Sequence, residues 1–161
     1  MKQKLLSWGD DYHIRDDQGR EIYFVDGKAF SLGGQLSFRD LEGNELAFIR
    51  QKLLKLSPTY EIHRDGELAA VVKKELFALF HHRFAVDVPG PDDLEAKGDF
   101  LDHEYVFRRG DRDVATVSKR WFALGDTYGI EIADGEDDVL LLGVVVAIER
   151  LAGDDPGRDD D

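Results

Sequence analysis

The sequence predicts a mainly β protein, an antiparallel sheet closed or nearly closed around a hydrophobic C-terminal helix. Three observations predict it. Short alternating segments run from residue 12 to 132, with turn residues roughly every eight to twelve positions, as in an all-β meander. One hairpin-like unit recurs along the chain. Near the C-terminus, residues 139–148 carry no polar side chain, although 34% of the whole chain is charged.

The predicted strands are 12–15, 21–25, 35–39, 45–51, 59–64, 67–73, 76–80, 82–88, 94–97, 104–108, 113–119 and 128–132. Between them lie Asp17-Gln18-Gly19, Asp26-Gly27, Leu41-Glu42-Gly43, Asp65-Gly66 and Gly110-Asp111, residues that favour turns. In "YEIHRDGELAAVVKK", residues 60–74, Asp65-Gly66 supplies the positive φ that a tight hairpin requires.

The hairpin text returns in "YVFRRGDRDVATVSKR", residues 105–120. Its second half aligns over 46–52, 68–74 and 114–120 as an apolar residue, alanine, any residue, a β-branched position and a basic end. One supersecondary unit used several times fits this pattern, and its uneven spacing points to a closed sheet and not a solenoid.

The apolar run 139–148 is too short for a membrane span, which needs about 20 residues. Its flanks are those of a helix. Asp137-Asp138 suit an N-terminus with orphan N–H groups, Arg150 suits the last turn, and Gly153 suits the stop. A helix apolar on all sides must be surrounded by protein, and the sheet is what this chain has to surround it.

Composition narrows the function classes. At 161 residues and 42% hydrophobic, the chain is expected to fold as one domain over 1–152, with the helix at about 137–151 and an acidic, disordered tail over 153–161. No cysteine is present, so disulfides and thiolate chemistry are excluded. The net charge of −13 disfavours nucleic acid. With no signal-peptide pattern and no transmembrane segment, a cytoplasmic protein is expected, peripheral to a membrane if lipid is its target.

The run "YHIRDDQGREIYFVDGKAFSLGGQLSFRDLEGNELAFIRQKLLKLSPTYEI", followed by "AVVKK", "GDF", "EYVF", "VATVSKRWFALGDTYGIEI" and "LLLGVVVAIERL", resembles the LURP-one-related proteins. These group with Tubby C-terminal and phospholipid scramblase domains. The likeness extends over 12–151. It implies a Tubby-like antiparallel barrel of about twelve strands around a central hydrophobic helix. It implies little about activity, because Tubby domains bind phosphoinositides, scramblases are calcium-responsive and associate with lipid, and plant relatives are linked to defence.

Catalysis has little support. There is no nucleophile elbow, phosphate-cradling glycine loop or paired-histidine metal motif, and adjacent His81-His82 on a strand would face opposite ways. Asp102-His103-Glu104 reads as a solvated loop. The basic ends Lys52, Lys73-Lys74 and Lys119-Arg120 are the candidate anion site, since equivalent strand ends would bring cations to one rim. The plainer account is solubilising charge at strand ends. Asp134, Glu136, Asp137 and Asp138 form an oxygen-rich loop that resembles the scramblase calcium segment in position; helix capping explains the same residues and is favoured over calcium. No cofactor is expected. The expected function is a non-enzymatic binding or scaffold module for a small anion or lipid headgroup. The alternative is a protein-interaction subunit acting through its acidic surface and tail.

Overall fold

The computed structural model describes residues 2–8, 11–27, 35–52, 58–75, 83–88, 93–100, 102–119 and 127–153. The predicted strand at 76–80, together with His81, His82, Arg120 and residues 154–161 of the predicted tail, lies outside them.

Twelve strands and one helix make up the described chain. The strands are β1 (Lys2–Trp8), β2 (Asp11–Arg15), β3 (Glu21–Asp26), β4 (Gln35–Asp40), β5 (Glu45–Lys52) and β6 (Thr59–Arg64), then β7 (Glu67–Glu75), β8 (Arg83–Asp87), β9 (Leu94–Asp99), β10 (Glu104–Arg109), β11 (Arg112–Ser118) and β12 (Thr127–Ile132). Each pairs antiparallel with its neighbours in sequence, and β1 closes the ring on β12 through Lys2↔Glu131 to Leu6↔Thr127. Closure leaves no unpaired sheet edge. The alternation pattern assigns no strand to β1, whose text "KQKLLSW" does not alternate cleanly; pairing on both sides makes it a strand.

An up-and-down barrel has two distinct ends. At the turn end lie the β2–β3, β4–β5, β6–β7 and β10–β11 connections and the approach to the helix; at the opposite mouth end lie the ends of β5, β7 and β11. Asp65 (φ 51°) and Gly66 (φ 78°) form the two-residue turn expected between β6 and β7. Two other turns share one device. Asp16 accepts the backbone N–H groups of Gln18 and Arg20, and Asp40 those of Glu42 and Asn44, with Gly19 and Gly43 at positive φ.

The recurring unit has a physical signature, a register shift at one place in four hairpins. The shifts fall at Ile14/Arg15, Phe38/Arg39, Ile62/His63 and Phe107/Arg108, leaving Ile22, Leu46, Ala69 and Val114 as the unpaired extra residues. The middle copy is therefore one residue out of step with the sequence alignment, because Ala70, not Ala69, is equivalent to Ala47 and Ala115. A one-residue shift exchanges the faces of every following side chain.

α1 (Asp138–Gly153) enters from the turn end and fills the barrel. Asp137 caps it. Its Oδ1 accepts the Leu140 N–H at 3.1 Å, while its carbonyl accepts the first helical bond from Leu141. Leu141, Leu142 and residues 144–148 are each 1% exposed or less, packed among inward residues such as Ile14, Phe38, Ile49, Ile62, Phe107 and Val117. Burying one such aliphatic side chain is worth about 1.5–3 kcal/mol. The interior is thus a packed core.

Candidate functional site

With the axis occupied by the helix, surfaces for recognition lie on the outer wall and at the two ends. The register Lys52↔Thr59↔Lys73 places two cations on either side of buried Thr59, on one outward-facing row. Two strand spacings separate their backbones by about 9–10 Å. Each has an acidic neighbour: Lys52 Nζ lies 3.3 Å from Glu61 Oε1, and Lys73 Nζ lies 3.1 Å from Asp87 Oδ2. Half-exposed pairs of this kind contribute about 0–1 kcal/mol, so a stronger anion can displace either carboxylate.

The other predicted cations are placed differently. Lys74 follows Lys73 and takes the opposite side of the sheet, on the row of buried Phe84. Lys119 stands at the end of β11, four strands round from β7, with its backbone N–H donated to Glu104. Arg120 lies outside the described residues. The strand ends share the mouth end, and among the described residues the outer wall brings together Lys52 and Lys73.

A third cation joins this wall. On the outer face of β5, Phe48, Arg50 and Lys52 succeed one another at alternate positions, whereas Leu46, the extra residue of the bulge, packs against the core. Arg50 stands opposite Glu61 in the register, but Glu61 is engaged elsewhere, by Lys52 and by His63 Nε2 at 3.0 Å. Desolvation opposes ionisation of Glu61, yet the bonds from His63 and Lys52 prevail and hold its carboxyl below the usual range. A groove of about 360 Å³ is lined by Leu46, Phe48, Arg50 and His63, with Glu45 and Asp65 toward the turn end. The sequence repeat contains Arg50 but does not single it out; the strand pairing does.

The acidic loop before the helix is engaged by arginines. Glu136 is 7% exposed at its side chain and accepts two bonds from Arg109, at 2.7 and 2.8 Å, and one from Arg112 at 2.6 Å. Asp137 pairs with Arg64 besides capping the helix. Asp134 is exposed, and Asp138 has its carboxyl raised by desolvation and by the charge of Asp137. Among the described residues, no group of three or more His, Asp or Glu side chains is arranged to hold a metal ion.

Asp102-His103-Glu104 is only partly the solvated loop expected. Asp102 is exposed, but Glu104 accepts the Ser118 hydroxyl at 2.9 Å, and His103 lies 2.9 Å from Glu149. Glu149 also accepts the Tyr105 hydroxyl at 3.1 Å. Burial first, and the Glu149 carboxylate second, push the Tyr105 hydroxyl well above its usual range. The Glu149 side chain, 10% exposed near the C-terminal end of the helix, thus has both groups as polar neighbours. No helix among the described residues is long and apolar enough to cross a membrane.

Comparison with known proteins agrees with this architecture. A family model for LURP-one-related proteins matches residues 1–149. The chain is 33% identical over 156 residues to YxjI of Bacillus subtilis (strain 168), an uncharacterised protein, covering 96% of this chain and 93% of that one. An Arabidopsis thaliana protein of known X-ray structure superposes with a TM-score of 0.73 at 16% identity, covering 94% of this chain and 90% of that one, a likeness of fold. A twelve-strand ring around a buried C-terminal helix, matched over almost its whole length, belongs to the LURP-one-related family.

Proposed function

We propose that the chain is a non-enzymatic binding module that takes an anionic group, a free phosphate or a phospholipid headgroup, on its outer wall near the mouth end. The observation that carries this reading is the placement of Lys52 and Lys73 on one outward row, either side of Thr59. Two flexible ammonium groups on backbones about 10 Å apart can converge on one phosphate. The filled interior favours binding over catalysis, since enclosed polar pockets are where active sites usually form. Any membrane contact is peripheral in this reading, and the expected location is the cytoplasm.

The overall charge of −13 opposes approach to an anionic surface, so binding must be local and sensitive to salt. Flotation with phosphatidylcholine vesicles doped with cardiolipin, alongside titration with inorganic pyrophosphate, tests the reading. Binding at low salt that weakens at physiological salt and falls when Lys52 and Lys73 are both changed to Ser is the expected result. Absence of binding to either probe at low salt, or binding indifferent to those substitutions, overturns it.

A further inference from the structure

We infer that the anion this wall accepts is the headgroup of a single-chain amphiphile, whose chain lies in the β5 groove and whose oxyanion pairs with Arg50. The inference rests on the anion-binding reading and adds both the ligand's body and a residue to it.

Arg50 is exposed and has no ion pair among the described residues, although a carboxylate stands directly opposite it. Glu61 is bound by Lys52 and His63, so the guanidinium beside the groove keeps its planar donor face for an oxyanion. An unpaired arginine is notable on a protein with 34 acidic and 21 basic residues. Its surroundings specify more than charge. Half-buried Phe48 lies next to it on the outer face of the strand, and the row Phe48↔His63↔Leu68 extends the floor across two more strands, Leu68 being 43% exposed; Leu46, packed against the core, lines the groove from the bulge.

The groove is also polarised. Arg50 stands toward the mouth end, while Glu45 and Asp65 lie toward the turn end. Glu45 already accepts the Ser37 hydroxyl at 2.7 Å. An anionic head is therefore favoured beside Arg50 and repelled at the far end, leaving the middle for an apolar chain. About 360 Å³ is at the low end of the ~300–1,000 Å³ typical of small-molecule sites, room for one chain and not for a two-chain phospholipid.

Calorimetric titration of the full chain with monomeric dodecyl phosphate, dodecanoate, decyl maltoside and inorganic pyrophosphate tests this, with cardiolipin vesicles as a separate arm. The chain is expected to bind dodecyl phosphate and dodecanoate more tightly than pyrophosphate or the uncharged maltoside. Arg50→Ser is expected to weaken both charged amphiphiles by about tenfold or more. Phe48→Thr should weaken them while leaving pyrophosphate unchanged, and Leu68→Thr, at an exposed position of the same row, serves if Phe48→Thr does not fold.

Pyrophosphate bound as tightly as the amphiphiles overturns the inference and leaves the anion-binding reading standing. So does binding to vesicles without binding to any monomeric amphiphile. Amphiphile binding unaffected by Arg50→Ser and by the groove substitutions, or matched by the maltoside, overturns the inference as well. No binding to any probe removes both.

Discussion

Arg50 faces Glu61 across the β5–β6 pairing, yet Glu61 gives its two carboxylate oxygens to Lys52 and His63. One carboxylate thus engages the Lys52 ammonium and a His63 ring nitrogen and leaves the Arg50 guanidinium to solvent. On an outer wall otherwise ordered by strand alternation, this choice of partner, together with Glu45 and Asp65 toward the turn end, gives the groove the asymmetry that the proposed ligand uses.

The same carboxylate sets a pH dependence. Its folded-state pKa is depressed below the usual 4.5, so its stabilisation is complete above that value and is lost as pH falls through the folded value. Glu61→Gln should flatten the decline in stability below about pH 4.5, followed by urea unfolding at successive pH values. It should also strengthen pyrophosphate binding a few-fold at neutral pH by removing a competing anion. An unchanged acid profile would show that Glu61 is not held as described.

At the turn end, Glu136 is the buried member of a carboxylate–arginine cluster. Removing one partner of a fully buried pair costs about 3–5 kcal/mol; Arg112 is 68% exposed here, so Glu136→Ala should cost about 2–3 kcal/mol in urea unfolding. A loss below about 0.5 kcal/mol, the range of ordinary surface substitutions, would place Glu136 in solvent.

Helix capping and calcium compete for the same loop. Asp137→Ala should cost about 1 kcal/mol and Asp137→Asn much less, because Asn still caps. Calcium chloride should leave the melting temperature of the wild-type chain unchanged. A calcium-dependent rise reversed by chelator would instead assign Asp134, Glu136, Asp137 and Asp138 to a metal.

Within the barrel, Gly143 occupies a helix interior where an added Cβ would meet only Ile62 side-chain carbons, at 3.6 and 3.7 Å. That is ordinary contact. Gly143→Ala should therefore raise stability by about 0.5–1 kcal/mol. Val145, at 0% exposure, is the opposite case: Val145→Asp places an unpaired carboxylate in the core and should abolish folding, since the cost of several kcal/mol rivals a total stability of about 5–15. Soluble Val145→Asp protein with a cooperative melt would show that the helix lies at the surface.

Much of this architecture is legible in the sequence because turns and helix ends are local. Asp65-Gly66 marks its hairpin, and Asp137 with the apolar run marks a capped, surrounded helix. What escapes is set by partners distant in the chain. β1 is a strand because β2 and β12 pair with it. Ala69-Ala70 offers two equivalent alignments of the repeat, and only the cross-strand register shows which alanine is the extra residue. The site is legible to the same extent. Lys52 and Lys73 stand out as charged strand ends, but their sharing of a row across Thr59 is fixed by pairing. Arg50 is unremarkable until Glu61 is found bound to others.

The most direct test of the outer-wall site is a map of backbone amide shifts in ¹⁵N-labelled protein titrated with monomeric dodecyl phosphate. Concentrated, saturable shifts at Phe48, Arg50, Lys52 and His63, with residues 141–148 unmoved, are the predicted result. Shifts centred on the helix or on residues 134–138, with β5 unmoved, would contradict it.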